Sequence, residues 1–192
     1  MRTKDPEERK KEIIQKAREL FEENGINKTK VSDIVKSLGV AQGLFYYYFP
    51  SKKAIIIAVG EQIIRETEAT ADRVVNSSKL NFYQKLIQYV DLYFDVAGRF
   101  IENQGLNLYL SLKEYGLEKE AEEKIIARIY QLVQIGEKEN VWKIQYPEEM
   151  MQVIMGGAKE LFMRTSINRK KMLLFLEQGL HFPAGSLTQK TD

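Results

Sequence analysis

Residues 29–53 read TKVSDIVKSLGVAQGLFYYYFPSKK, and the spacing inside this stretch decides the fold. Val31, Ile34, Val35 and Leu38 recur at i, i+3, i+4 and i+7, which predicts one buried stripe on a short helix. Thr29 stands before them as the expected N-cap, and Gly39 follows where a left-handed C-cap is wanted. After a turn of Gly39, Val40 and Ala41, a second short helix is expected from Gln42 to Tyr48. It turns Phe45 and Phe49 inward and carries three tyrosines between them. Such a cluster is too polar for pure core and too aromatic for idle surface. Two short helices around a tight turn, followed by a basic helix start at Ser51-Lys52-Lys53, form the helix-turn-helix layout that sets a helix in a DNA major groove.

Glycine and proline punctuate the flanks. A first helix is expected from Pro6 to Asn24, with Glu7 and Glu8 in its first turn, an apolar face of Ile13, Ile14, Ala17, Leu20 and Phe21, and Gly25 as stop. Downstream, helices are expected over 51–75, 81–103, 106–115, 117–138, 147–166 and 169–182. No segment alternates apolar and polar residues long enough for a strand, and no internal repeat is visible. The fold class is all-α, about nine helices, with a three-helix head on a larger helical body. The expected divisions are 1–50 for the helix-turn-helix domain, 51–182 for the effector-binding and dimerisation domain, and 183–192 for a flexible tail.

Composition excludes several alternatives. With 44% hydrophobic and 29% charged residues, the 192-residue chain has an ample core and a soluble surface. It contains no Cys, which removes disulfides, zinc-thiolate sites and a thiol nucleophile, and suits the cytoplasm. The opening MRTKDPEERKKE lacks an apolar h-region, so no secretory signal is expected, and no apolar run approaches a membrane span. Residues 1–60 carry 12 Lys and Arg against 8 Asp and Glu, whereas the remainder carries 17 against 19. The positive excess is thus confined to the part that would face phosphates.

Within the second short helix, Gln42 suits a bidentate hydrogen bond to adenine and Leu44 a thymine methyl, while Gly43 lets backbone approach the duplex. Tyr46, Tyr47 and Tyr48 cannot share one face, because successive helical residues turn by ~100°. At least one hydroxyl is therefore available to phosphate. Lys52 and Lys53 oppose the dipole of the helix they open, and a docked anion would reverse that sign. Lys52 is read as a phosphate contact with Lys53 as helper; Thr29 and Lys30 form a second such site at the preceding helix start.

The segment GVAQGLFYYYFPSKKAI, residues 39–55, resembles the N-terminal signature of the TetR (tetracycline repressor) family of bacterial transcription regulators. That signature runs G-V-S-x-G-T-L-Y-x-Y-F and then Ser-Lys, with a T-x-x-x-I helix before it. Ala41, Leu44 and Lys53 depart from the frequent Ser, Thr and Glu. The resemblance implies that Tyr46 and Tyr48 touch the sugar-phosphate backbone or adjacent bases, with Tyr47 packing or peripheral. It further implies a body that encloses an effector pocket, for which Tyr93, Phe94, Tyr109 and Tyr130 are the candidates. An apolar or aromatic effector is favoured, since no inward charge is evident. Binding would tilt the helix that starts at Ser51 and change the spacing of two heads.

The body offers no catalytic constellation, and neither an enzyme nor a cofactor is expected. Its one histidine, His181, reads as a dipole partner at the end of the last helix, and Glu177 four residues earlier does not make a Glu-x-x-His metal motif. Asp91 and Asp95 lie off the apolar face and are expected in water. The final two helices carry Gly156, Gly157, Ala158, Met172, Leu173, Phe175 and Leu176, which suits a four-helix homodimer seam. The expected partners are a palindromic double-stranded operator, a small effector and a second copy, with no membrane. The rival readings are a helical scaffold, or a metal- or ligand-binding protein without DNA affinity.

Overall fold

The computed structural model describes residues 5–101, 114–164 and 167–188, and every regular element among them is a helix. The elements are α1 (Pro6–Asn24), α2 (Val31–Leu38), α3 (Gln42–Tyr48), α4 (Lys52–Val75), α5 (Phe82–Ile101), α6 (Glu118–Lys138), α7 (Pro147–Arg164) and α8 (Arg169–Gly179). Most of the short helix expected over 106–115, and Asn103 with it, lies outside the described residues. The described chain divides into two compact units, 1–66 with 96–121 and 67–95 with 122–192.

Local chemistry sets the helix ends. Asp5 caps α1 by accepting the Glu7 N–H at 2.9 Å, and Ser51 caps α4 by accepting the Ala54 N–H at 3.1 Å. Asn81 and Gln84 satisfy each other's backbone N–H groups at the start of α5, at 2.9 and 3.0 Å. Asn168 caps α8 through the Lys171 N–H. Gly39 takes the left-handed conformation (φ 64°) that closes α2, where a β-carbon would be strained.

In the first unit, Ile13, Ala17 and Phe21 of α1, Ile34 and Val35 of α2, Phe45 and Phe49 around α3, and Ile55, Val59 and Ile63 of α4 form one closed core. On the surface Arg18 bonds Glu22 at 2.9 Å and Glu66 at 2.5 Å, tying α1 to α4.

The second unit has its own core, from Val75 through Phe82, Leu86, Ile129, Leu132, Met151, Met172 and Leu176 to Leu187. Arg128 on α6 bonds Glu68 at 2.9 Å and Asp72 at 2.6 Å on α4. Trp142 lies against Gly136, where an added β-carbon would fall 2.7 Å from the indole. Its Nε1–H donates to the Val133 carbonyl at 3.0 Å. Gly136→Ala is therefore expected to displace the indole and to destabilise by about 1–3 kcal/mol, read by denaturant unfolding.

Three expectations need correction here. The last helix ends at Gly179 instead of Phe182, and exposed His181 lies beyond it in the left-handed region (φ 53°). Asp91 is not simply solvated: Arg169 at the start of α8 engages both of its oxygens, Nη2 to Oδ2 at 3.0 Å. The tail expected from residue 183 is folded back at least to Thr188. Leu187 is buried in the core, and Glu177 accepts the N–H groups of Gly185 and Leu187 at 2.9 and 3.0 Å and the Thr188 hydroxyl at 3.3 Å.

Burial pushes the Glu177 carboxyl up, but those donors outweigh it and leave the group below its ordinary value. A depressed folded value contributes stability that is present above the unfolded carboxylate range, about 4.3, and is lost as pH falls through the folded value. Glu177→Gln, which turns an amide toward N–H donors, is expected to lower stability at neutral pH by about 1–3 kcal/mol. It should also flatten the acid limb of the stability profile below about pH 4.3. Thermal unfolding of both proteins across pH 3–7 reads both effects.

Candidate nucleic-acid interface

The α2–α3 pair is positioned from below by its apolar residues. Phe45 is fully buried, tilted against Phe49 at 5.8 Å and edge-on to Tyr46 at 5.5 Å. That anchoring leaves Gln42, Gly43, Tyr46 and Tyr47 on the outer side of α3. Tyr47 is 78% exposed and Tyr46 46%. Tyr48 is the ring that packs, against the head core and edge-on to Tyr47 at 5.0 Å. Of the two roles expected for Tyr47, packing or peripheral, the packing one falls to Tyr48, which α3's register carries toward the core. Leu44 is half-buried.

No atom lies within 4 Å of where a β-carbon on Gly43 would stand, and its φ is not positive. Neither the packing nor the backbone of the fold calls for glycine at this site. Ala41, at the N-cap of α3, supplies no side-chain cap. The start of α3 therefore carries an exposed backbone edge that nothing in the head occupies.

The basic groups behave less uniformly than their sequence suggests. Lys30 takes the N-cap position of α2 that Thr29 was expected to hold, and Asp33 accepts its backbone N–H at 2.8 Å. Thr29 is 2% exposed, with its hydroxyl within 2.9 and 3.0 Å of the Gly25 and Leu20 carbonyls, so it closes the end of α1. Lys52 donates to the Ile26 carbonyl at 2.6 Å, fastening the start of α4 to the α1–α2 turn. Burial lowers its ammonium below the ordinary lysine value, and the Asp33 carboxylate offsets part of that. Lys28, Lys30, Lys36 and Lys53 remain exposed. Among them Lys28 and Lys36 were not singled out from the sequence, since a lone surface lysine carries no signal until the fold sets it on a face.

Two of the four effector candidates have described side chains. Phe94 is half-buried against the second core, and Tyr130 is 47% exposed, off the buried stripe of Ile129, Leu132 and Val133. Tyr109, and the side chain of Tyr93, lie outside the described residues. Lys85 of α5, next to buried Phe82, Leu86 and Tyr89, is 7% exposed. Among the described residues no group of three or more His, Asp or Glu side chains is arranged to hold a metal, and no helix is long and apolar enough to cross a membrane.

Residues 13–59 match the model of the bacterial regulatory proteins of the tetR family. These residues hold α2, α3 and the core that positions them. The match to the tetR family is a match of the head, about a quarter of the chain. Within its tetR-family head, the chain is 49% identical over 55 residues to the uncharacterized HTH-type transcriptional regulator YvdT of Bacillus subtilis, covering 29% of this chain and 28% of that one. It is 32% identical over 99 residues to the biofilm operon icaADBC HTH-type negative transcriptional regulator IcaR of Staphylococcus aureus, covering 48% and 50%. The chain thus spans half or less of the length of these relatives. The fold of nearly the whole chain is similar to that of a transcriptional regulator from Saccharomonospora viridis solved in complex with choline, with a TM-score of 0.69 at 18% identity, covering 89% and 96%.

Proposed function

We propose that this chain is a homodimeric, ligand-responsive DNA-binding regulator of the tetR family, acting as a repressor that a small effector releases from a palindromic operator. The observation that carries the reading is the outer side of α3. It combines exposed Gln42, Tyr46 and Tyr47 with a glycine whose missing side chain the fold does not need. Backbone approach to a duplex gives Gly43 a purpose. Gly43→Ala is expected to hold or raise the stability of the head by up to about 1 kcal/mol, since alanine is the better helix former. DNA affinity should fall at the same time. Opposite movement of these two readouts is what a contact role predicts and a packing role does not.

In the proposed contact set, Gln42, Gly43 and Leu44 face base edges, while Lys30, Tyr46, Tyr47, Lys53 and the backbone around Thr29 face phosphates. Lys52 and Tyr48 hold the head in shape beside them. The proposed head ends near residue 50, and the body that follows carries the effector and the dimer seam.

The seam reading is supported by a second face on the last two helices. Val153, Gly156, Gly157 and Leu161 recur at i, i+3, i+4 and i+8 on α7, and Leu174 and Phe175 lie on α8, all exposed. Nothing stands within 4 Å of a β-carbon built on Gly156 or Gly157, so close approach inside the subunit does not explain them. Gly179 is the glycine that serves the internal contact, with Ile154 at 2.8 Å from its built β-carbon. A second copy would cover the outer face. Control by a ligand is supported by the relatives: IcaR is a negative regulator, and the Saccharomonospora viridis protein holds choline.

Selection of bound sequences from random DNA by the full chain tests the function. A pseudo-palindrome with half-sites at least one helical turn apart is the expected product. Binding without sequence enrichment and without salt dependence would return the head to a protein-binding scaffold.

A further inference from the structure

The outer side of α3 is neutral. Ala41, Gln42 and Gly43 are exposed in succession at its start, Leu44 is half-buried, and the helix QGLFYYY holds no Lys, Arg, Asp or Glu. The exposed lysines nearest in the chain stand on other elements. Lys28 lies in the α1–α2 turn, Lys30 and Lys36 at the two ends of α2, and Lys53 on α4, while Lys52 is committed to the Ile26 carbonyl. At Gly43 the space that a β-carbon would fill is open to 4 Å, so the surface between Gln42 and Leu44 is indented by one side chain.

Each base presents its own set of groups in the major groove. Guanine offers two acceptors, N7 and O6, which a cationic side chain matches, and cytosine offers an N4–H donor, which a carboxylate accepts. α3 supplies neither partner. Adenine sets an N7 acceptor beside an N6–H donor, and the Gln42 amide meets both with its own N–H and carbonyl. Against guanine the same amide would leave its carbonyl without a donor. Thymine offers its C5-methyl, and the side chains of Ala41 and Leu44, with the bare α-carbon of Gly43 between them, present carbon to it.

We propose that α3 reads an A·T core in each operator half-site, and that Gly43 is a specificity-determining residue, seating a thymine C5-methyl in the space its absent side chain leaves. Gln42 reads an adenine of the same core. The lysines of α2 and α4 hold phosphates, which carry no sequence information, so guanine and cytosine are not read directly by the head. The inference rests on the reading of the chain as a DNA-binding regulator and deepens it from affinity for a duplex to choice of base pairs. Gly43 thereby acts in sequence choice as well as in close approach of the backbone.

The test takes the duplex that the full chain selects from random DNA and rebuilds it with base analogues at one position of each half-site in turn. Deoxyuridine in place of thymidine removes the C5-methyl alone, 7-deazaadenine removes the adenine N7, and 7-deazaguanine removes the guanine N7. Fluorescence anisotropy at fixed salt reads the affinity of the wild type, Gly43→Ala and Gln42→Ala. Loss of one thymine methyl should weaken wild-type binding by about three- to fivefold per half-site. Loss of one adenine N7 should weaken it by about fivefold. Replacement of guanine by 7-deazaguanine should leave it unchanged. Gly43→Ala, which fills the space, should bind the thymidine and deoxyuridine duplexes equally, and Gln42→Ala should lose its response to 7-deazaadenine. The analogue series on the wild type needs no variant, so its outcome does not depend on how Gly43→Ala folds. A half-site that responds to 7-deazaguanine and to neither of the other analogues overturns the assignment. So does a Gly43→Ala protein as sensitive to deoxyuridine as the wild type. Both results leave the proposed function standing, whereas the absence of any selected sequence removes the proposed function and this assignment with it.

Discussion

Replacing Phe175 with Asp is expected to convert the proposed dimer to a monomer at micromolar concentration, and to weaken operator binding by about 10²–10⁴-fold. The ring is exposed on α8 beside Leu174, away from the buried Met172, Leu173 and Leu176, so a charge there leaves the subunit's own core intact. The same charge placed between two copies would be buried against Val153 and Leu161 without a partner. The loss of DNA affinity follows from linkage of the heads, since the second head binds at the effective concentration that the first provides. Sedimentation equilibrium and anisotropy on a palindromic duplex give the two readouts. A variant that remains dimeric would move the seam off α7 and α8. A monomer that keeps full affinity would remove the need for a palindrome.

Raising salt from 50 to 200 mM is expected to lower operator affinity by about 250- to 1,000-fold, a log–log slope of about −4 to −5 for roughly four to six phosphates neutralised per dimer. Lys53 is exposed at the start of α4, and Lys53→Ala should shallow the slope by about one unit for every sequence tested. Lys52→Ala should behave differently. Its ammonium is bound to the Ile26 carbonyl, so its removal also loosens the junction between α4 and the α1–α2 turn, costing about 1–2 kcal/mol of head stability. An unchanged slope in the Lys53 variant, measured from 50 to 400 mM, would remove that residue from the phosphate contacts. A Lys52 variant with a shallower slope and undiminished stability would show that its bond to Ile26 yields to DNA.

The sequence by itself determined the elements and the family resemblance of the head, because these depend on residues close together in the chain. The i, i+3, i+4, i+7 spacing of Val31, Ile34, Val35 and Leu38 specifies α2, and Gly39 specifies the turn that follows, whichever helices pack on them. Pro6 and Gly25 bound α1 for the same reason. Only the tertiary structure decided what the polar side chains do, since their partners lie far along the chain. Thr29 was read as a cap from its neighbours, yet its hydroxyl meets Leu20, nine residues away. Lys52 was read from the helix it opens, yet it reaches Ile26. Glu177 lacked a recognisable motif because its donors, Gly185 to Thr188, sat in a stretch that reads as a polar tail until Leu187 is seen in the core. Lys85 fits the α5 sequence as any surface lysine would. Packing around Phe82, Leu86 and Tyr89 is what withdraws most of its stem from water, a property of the packed unit that no spacing of letters encodes.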